Sequence, residues 1–213
     1  MKRKTFILLF LFSSFAVMAQ QPPINDNLPA ISDNGAKSEN TRFSLGFYHT
    51  GDFYKQAAGT GLGLMCNIGA KSDFLNVALG VEYIEYLGAD PRPEEKKNGL
   101  GIVDAGAQVV IPAFVKLQLF STSKWTKFYV GCGGEFGFKA RDGGVMKHYY
   151  EENSVFRKSS LAIVPVIGWK SSAVDFGVYY KHYIDKPFNN SLDGKKNFGD
   201  EKARIGYFLT CYF

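Results

Sequence analysis

The carboxyl-terminal segment constrains the fold of this chain more than any other feature, because apolar residues occupy every second position in it. One face of residues 203–213 carries Ile205, Tyr207, Leu209, Cys211 and Phe213, and the other face carries Arg204, Gly206, Phe208, Thr210 and Tyr212. This period of two is typical of a β-strand between an apolar phase and a more polar interior. The pattern ends on an aromatic residue without a polar tail, which is unusual for a strand that faces water.

The amino-terminal segment has the pattern of a cleaved export signal. Lys2, Arg3 and Lys4 precede a largely apolar run over residues 6–18, and Ala19 supplies the small residue of a cleavage site. We therefore expect residues 1–19 to be removed as a signal peptide. The run is too short for a membrane-spanning helix.

The remaining chain is expected to form one domain after a leader. Residues 20–41 are rich in Pro, Asn, Asp and Ser without periodicity, and they predict a flexible periplasmic leader, followed by a β-barrel over residues 42–213. Loss of the three basic residues lowers the formal net charge from +5 to +2, so charge gives no support for nucleic-acid binding. The three cysteines, Cys66, Cys132 and Cys211, have neither disulfide-framework nor metal-ligand spacing, so we expect no cofactor.

Eight segments share the alternating pattern and predict eight strands. They are residues 42–50, 59–68, 74–86, 105–120, 127–139, 160–170, 174–183 and 203–213. The segments between them alternate between short (69–73, 121–126, 171–173) and long and polar (51–58, 87–104, 140–159, 184–201). Short periplasmic turns and longer external loops are typical of outer-membrane barrels. The sequence thus predicts an all-β, eight-stranded antiparallel up-and-down transmembrane β-barrel, with a bulge or bend expected at Pro112.

The distribution of side chains between the two faces separates this fold from a soluble ligand barrel of lipocalin type. Large aliphatic residues fall on one face, and the opposite face carries glycines together with Glu82, Lys116, Glu135, Lys170, Asp175, Lys181 and Arg204. The interior of an eight-stranded barrel is only wide enough to be filled by side chains, so the aliphatic face is expected to point outward. The seven charged residues predict a salt-bridge network inside the lumen. A narrow path for ions or small solutes is the alternative.

Three strands resemble a known group of proteins. Residues 109–120 (VVIPAFVKLQLF), 128–134 (FYVGCGG) and 175–180 (DFGVYY) resemble strands of small Bacteroidetes-type outer-membrane barrels, the porin-family or PorT-like proteins. In strand number the barrel is similar to the OmpA and OmpX type. The resemblance implies the outer membrane of a Gram-negative bacterium and makes a role as an envelope or secretion accessory conceivable. Barrel-assembly machinery is then expected to recognise the last strand through Tyr207, Leu209 and Phe213.

External loops are the expected place for function, because barrel walls are scaffold. His148, Tyr149, Tyr150, Phe156 and Phe188 make two loops more aromatic than spacers require, and they predict contact with a protein or a glycan. A lipid A-modifying enzyme is less favoured. The His-x-Ser pair of deacylases would fall at His182-Tyr183-Ile184, where isoleucine replaces the nucleophile. We therefore expect a non-enzymatic surface scaffold or interaction protein in contact with outer-membrane lipid, with no catalytic or metal-binding residues.

Overall fold

The protein is a closed β-barrel. The computed structural model describes residues 41–54, 57–70, 74–92, 101–121, 126–171, 173–192 and 202–213, all within the unit Glu39–Phe213. Eight antiparallel strands follow one another in chain order around the ring, and the last strand pairs with the first. The predicted eight-stranded up-and-down barrel is confirmed. The predicted signal peptide and, apart from Thr41, the predicted leader lie outside the described residues.

Seven of the eight strands are longer than the sequence pattern indicated, and β8 ends one residue earlier than predicted. They are β1 Thr41–Tyr54, β2 Ala57–Ala70, β3 Leu75–Ala89, β4 Ile102–Ser121, β5 Lys127–Asp142, β6 Ser159–Lys170, β7 Val174–Asp185 and β8 Ala203–Tyr212. Two short 3-10 segments, Met146–Tyr149 and Glu151–Asn153, lie between β5 and β6. Among the described residues no helix is long and apolar enough to cross a bilayer. The barrel end with the connections 71–74, 122–126 and 171–173 is the turn end, and the opposite end is the loop end.

The hydrogen-bonded register fixes the tilt of the strands. One row of paired residues runs through Arg42, Gly69, Asn76, Lys116, Gly131, Val166, Tyr179 and Gly206. Gly206 then pairs with Asp52, so the row returns to β1 ten residues beyond its start at Arg42. In a closed barrel such a stagger requires tilted strands, here by about 40°. Residues at one height along the axis therefore belong to different rows.

The predicted long connection over residues 51–58 is wrong. β1 continues to Tyr54 and β2 begins at Ala57, because the alternation of faces continues through this stretch. Asp52 is 0% exposed in the lumen, whereas Phe53 is 55% exposed on the outer wall. Gly51 contributes to this continuation, since a Cβ there would lie 2.5 Å from a ring carbon of Tyr207.

The bulge expected at Pro112 is also absent from that position. Pro112 faces the lumen opposite Glu135, and the β3–β4 offset is the same on both sides of it, at Leu79↔Ala113 and Glu82↔Val110. Proline removes a ladder hydrogen bond without requiring an extra residue. The register shifts lie at Tyr86/Leu87, Ala107/Gln108, Gln118/Phe120 and Leu161/Ala162. Gly106, with φ +117°, adjoins one of them.

The two faces of the wall differ as the sequence predicted. Along β3 the side chains alternate between exposed and buried, with Leu75, Val77, Leu79, Val81 and Tyr83 pointing outward. The other strands repeat this arrangement. The free cysteines are exposed or half-buried, on the outward-facing positions of β2, β5 and β8. The barrel is therefore apolar outside and filled with aromatic and charged side chains inside.

Candidate functional site

A charged cluster around Asp175 fills the turn end of the lumen. Asp175, at the start of β7, accepts hydrogen bonds from Lys116 Nζ at 2.5 Å, Tyr129 Oη at 2.5 Å and Tyr212 Oη at 3.2 Å. The Lys116 ammonium also lies 4.8 Å from the centre of the Phe208 ring, within cation–π range. The buried carboxylate thus has several donors, which is the condition for tolerating a charge away from water.

An aromatic layer lies above this cluster and closes the middle of the lumen. Phe208 stacks on Phe114 at 6.2 Å and on Tyr179 at 6.5 Å, each with an interplanar angle of 15°. Tyr48 packs against the same ring at 5.8 Å. A Cβ on Gly177 would lie 2.6 Å from Phe208, so the inward-facing glycine leaves room for the ring. This layer separates the turn-end cluster from a second set of charges.

The second set of charges is a layer centred on Asp52. Lys181 Nζ lies 2.5 Å from Glu135 Oε2 and 3.3 Å from Asp52 Oδ2, and an Arg204 guanidinium nitrogen lies 3.8 Å from the same Asp52 oxygen. The Tyr179 hydroxyl donates a hydrogen bond to the other Asp52 oxygen. All five side chains are buried. We call Asp52, Glu82, Glu135, Lys181 and Arg204 the upper charged layer.

Asp52 is the buried charged residue of the lumen that sequence reasoning missed. It lies within residues 51–58, which were predicted to form a long, polar connection. The signal that could have found it is the alternation itself, which begins at Phe43 and continues through Asp52 to Phe53. Arg204, predicted to neutralise a different carboxylate, lies next to Asp52 instead.

Two of the predicted network residues, Glu82 and Lys170, contact neutral side chains. Glu82 is buried and accepts a hydrogen bond from the Thr50 hydroxyl, and within the described ranges it forms no ion pair. Lys170 lies at the turn end, where it donates to Asn76 Oδ1 at 3.2 Å and sits 5.6 Å from the Tyr212 ring centre. Lys116–Asp175 and Lys181–Glu135 are direct ion pairs between predicted network residues.

Two connections, residues 143–158 and 186–192, close the loop end, and we call them the cap. Phe156 and Phe188 pair across the two connections with ring centres 5.0 Å apart, and each packs on Tyr86, at 5.5 and 5.7 Å. The Arg204 guanidinium lies 4.8 Å from the Tyr86 ring centre and 5.0 Å from that of Phe188. The cap therefore rests directly on the upper charged layer.

Asp142, the last residue of β5, fixes the cap to the barrel. Its carboxylate accepts hydrogen bonds from the Val155 amide at 2.9 Å, the Phe156 amide at 3.3 Å, the Ser154 hydroxyl at 3.0 Å and Lys139 Nζ at 3.1 Å. Partial burial disfavours the charged form, but the donors outweigh it and hold the pKa of Asp142 below its usual value.

The predicted loop-binding residues separate into two groups. Tyr150 and Phe156 are 1% exposed and Phe188 is 0% exposed, so the interpretation of these three as surface contacts is corrected. The rings of Phe156 and Phe188 fill the mouth of the barrel, because they pack there against the ring of Tyr86 and away from water. His148 is exposed and Tyr149 is half-buried, so they stay predicted contacts.

The predicted assembly residues and the histidine of the rejected enzyme pattern all lie on the outer wall. Tyr207 and Leu209 are half-buried, and Phe213 is exposed and packs against Phe47 at 5.4 Å. Recognition of this strand by barrel-assembly machinery stays a prediction. His182 is exposed and stacks with Tyr180 at 6.4 Å.

Comparison with known proteins adds little to this geometry. No protein-family model matches the chain, and no curated protein matches it. Among solved structures, the N-terminal β-barrel domain of OprF from Pseudomonas aeruginosa aligns over 80% of this chain and 97% of its own, with 13% identity and a TM-score of 0.37. A likeness this distant carries no argument, so the fold rests on the strand register of the chain itself.

Proposed function

We propose that this protein is an integral outer-membrane barrel of a Gram-negative bacterium with a closed lumen, acting as a non-enzymatic scaffold through its loop end. The observation that carries the proposal is the arrangement of polarity. Exposed apolar side chains surround an interior that holds the charges, which is the reverse of a barrel in water. The export-signal pattern of residues 1–19 supports the same location.

The dimensions of the apolar wall support a membrane setting. Outward-facing apolar residues on β3 extend over nine positions, from Leu75 to Tyr83. At a rise of about 3.4 Å per residue and a tilt of about 40°, this covers roughly 20 Å, close to the apolar band of about 25 Å of outer-membrane barrels. Beyond it, Arg141 pairs with Glu85 and Asp104 on the outer wall, as expected where water begins.

Aromatic side chains at the turn end support the other boundary of the band. Phe128 packs on Phe120 at 5.0 Å and on Trp169 at 6.3 Å, and Trp169 stacks on Phe176 at 5.5 Å. Aromatic girdles of this kind lie at membrane interfaces.

The filled lumen favours a scaffold over the alternative of a narrow channel. The aromatic layer around Phe208 and the cap both lie across the lumen axis. A small cavity whose mixed lining includes Gln108, Glu135, Ser160 and Lys181 has a volume of about 10 Å³, room for a single water molecule. A solute path would require these layers to move apart. Function is therefore assigned to the loop-end surface, where His148, Glu151 and Leu192 are exposed to a protein or glycan partner.

A role as an envelope or secretion accessory is the finer form of the proposal. Its support is the resemblance of residues 109–120, 128–134 and 175–180 to Bacteroidetes-type barrels. Lipid A modification has weaker support, since Ile184 occupies the position of the nucleophile.

Planar-bilayer recording of refolded residues 20–213 tests the closed-lumen proposal. The protein should insert without producing discrete conductance steps. The double variant Phe114→Ala, Phe208→Ala removes two rings of the aromatic layer and should raise the frequency of conductance steps, whereas Phe47→Ala, on the outer wall, should stay silent. Reproducible steps from the unmodified protein would favour the channel, and failure to insert into any bilayer would refute the membrane proposal.

A further inference from the structure

Charged side chains at the loop end of the outer wall are distributed unevenly around the barrel. Over β3 and β4, Glu85 and Asp104 share the guanidinium of Arg141. Near the loop ends of β5 and β6 three basic residues are exposed: Lys139 on β5, and Arg157 and Lys158 just before β6. We call these last three residues the basic rim.

The backbone holds the basic rim in a fixed place. The Arg157 amide donates to the Pro187 carbonyl oxygen at 2.8 Å, and the Lys139 amide donates to the Lys158 carbonyl oxygen at 3.2 Å. Phe156, immediately before the pair, is buried in the cap. The two cations therefore sit on an anchored segment rather than on a free loop.

Arg157 and Lys158 are not neutralised by neighbouring acids. Asp142 is bonded to Lys139, and Asp185, exposed opposite Leu161, pairs with neither residue. Across the described part of the chain Arg157 and Lys158 form no ion pair, in contrast to Arg141. An exposed arginine presents a planar fork of donors that matches a phosphate group.

The wall directly below the basic rim is apolar. Phe136 and Phe138 pack edge to face at 4.6 Å on β5, and Leu161 is exposed next to them on β6, where it pairs with Phe136. Ser159, between Lys158 and Leu161, pairs with Phe138. A ligand that fits both surfaces has acyl chains alongside the rings and a phosphate at the level of the cations.

We propose that the basic rim binds the phosphate of a phosphorylated lipid in the leaflet at the loop end. This inference rests on the proposed membrane setting and deepens it by naming the lipid chemistry and its residues. Basic side chains at the surface of an apolar band attract anionic headgroups. A site formed by two adjacent cations favours a phosphate monoester over a zwitterionic headgroup.

Lipid retention by the refolded protein tests the proposal. The protein is inserted into vesicles of phosphatidylcholine containing a minor fraction of phosphatidic acid, extracted, and its bound lipids are counted by native mass spectrometry. We expect phosphatidic acid to be enriched, and the double variant Arg157→Gln, Lys158→Gln to reduce the enrichment by about thirtyfold, because each cation contributes about 1 kcal/mol. Lys202→Gln is the matched control, because Lys202 is also exposed at the loop end and its carbonyl oxygen also accepts from a neighbouring strand, at Tyr183.

Further arms separate the possible causes. The swap Arg157→Lys, Lys158→Arg keeps both charges and should keep the enrichment, which distinguishes charge from folding. Inorganic phosphate added to the extracted protein should not displace the lipid. If inorganic phosphate bound as tightly as phosphatidic acid and displaced it, the lipid assignment would be overturned. Unchanged enrichment in the double glutamine variant would also overturn it. If the unmodified protein inserts but shows no preference, this inference fails alone, whereas absence of insertion refutes the proposed function itself.

Discussion

Two buried carboxylates of the upper charged layer should respond very differently to neutralisation. Asp52 lies 3.3 Å from Lys181 Nζ and 3.8 Å from an Arg204 nitrogen, whereas Glu82 accepts only from the Thr50 hydroxyl among the interactions of the described residues. Asp52→Asn and Glu82→Gln change shape very little. Any difference between them therefore reports the ion pairs.

The expected magnitudes follow from what each change leaves behind. Removing one partner of a buried ion pair costs about 3 to 5 kcal/mol. Because Lys181 keeps Glu135 at 2.5 Å, we expect Asp52→Asn to lower the free energy of unfolding by about 3 kcal/mol, the lower end of that range. Glu82→Gln keeps an oxygen that accepts from Thr50, and it leaves two carboxylates for two cations. We expect it to cost less than about 1 kcal/mol.

Urea unfolding of the barrel in phospholipid vesicles measures both values, with tryptophan fluorescence as the signal and an unchanged denaturant slope as the check on two-state behaviour. Asp175→Asn is an independent comparison, since the aromatic layer separates it from Asp52, so the effects of Asp52→Asn and Asp175→Asn should add. The costs of Asp52→Asn and Lys181→Gln should not add, because Asp52 and Lys181 are themselves in contact. Equal costs for Asp52→Asn and Glu82→Gln would refute the idea that the layer is organised around Asp52.

Two further predictions concern the cap and the barrel wall. Because the folded pKa of Asp142 lies below its unfolded value, its contribution to cap stability is present above about pH 3.9 and is lost as the pH falls through the folded value. Hydrogen-exchange protection of the Val155 and Phe156 amides should fall in that acidic range, and Asp142→Asn should show the loss already at neutral pH; protection unchanged by the substitution would contradict the anchor. Gly63→Ala should cost about 2 to 3 kcal/mol, because its Cβ would lie 2.0 Å from the Val81 carbonyl oxygen. Gly134→Ala is the control: the atom nearest to its Cβ lies at 3.6 Å, so it should change the unfolding free energy by less than about 0.5 kcal/mol. Similar costs for the two substitutions would show that the backbone next to Gly63 can shift to accommodate a methyl group.

The sequence pattern predicted which face of a strand each residue occupies, but not its position along the barrel axis. A period of two places Lys116 and Asp175 in the lumen, yet their contact depends on the ten-residue stagger, which brings residues 59 positions apart to one level. No local pattern encodes that stagger. Asp52 was missed for a related reason, because the polar composition of residues 51–58 predicts a connection unless the neighbouring strand is known to continue alongside it.

The cap illustrates a second limit of sequence reasoning. Tyr150, Phe156 and Phe188 lie in connections that composition marks as exposed. Their burial depends on the barrel mouth offering Tyr86 and the guanidinium of Arg204 as packing partners. Aromatic residues in a loop can thus close a barrel as readily as contact a partner, and only the neighbouring strands decide between the two.

Charged and apolar layers alternate along the lumen. The rings of Phe208, Phe114 and Tyr48 separate the Asp175 cluster from the upper charged layer. In the proposed membrane setting the two layers lie at different depths, so their charged groups would experience different shares of a voltage applied across the barrel. Lys116 and Asp175 carry opposite charges in direct contact, so such a voltage would push the two groups in opposite directions.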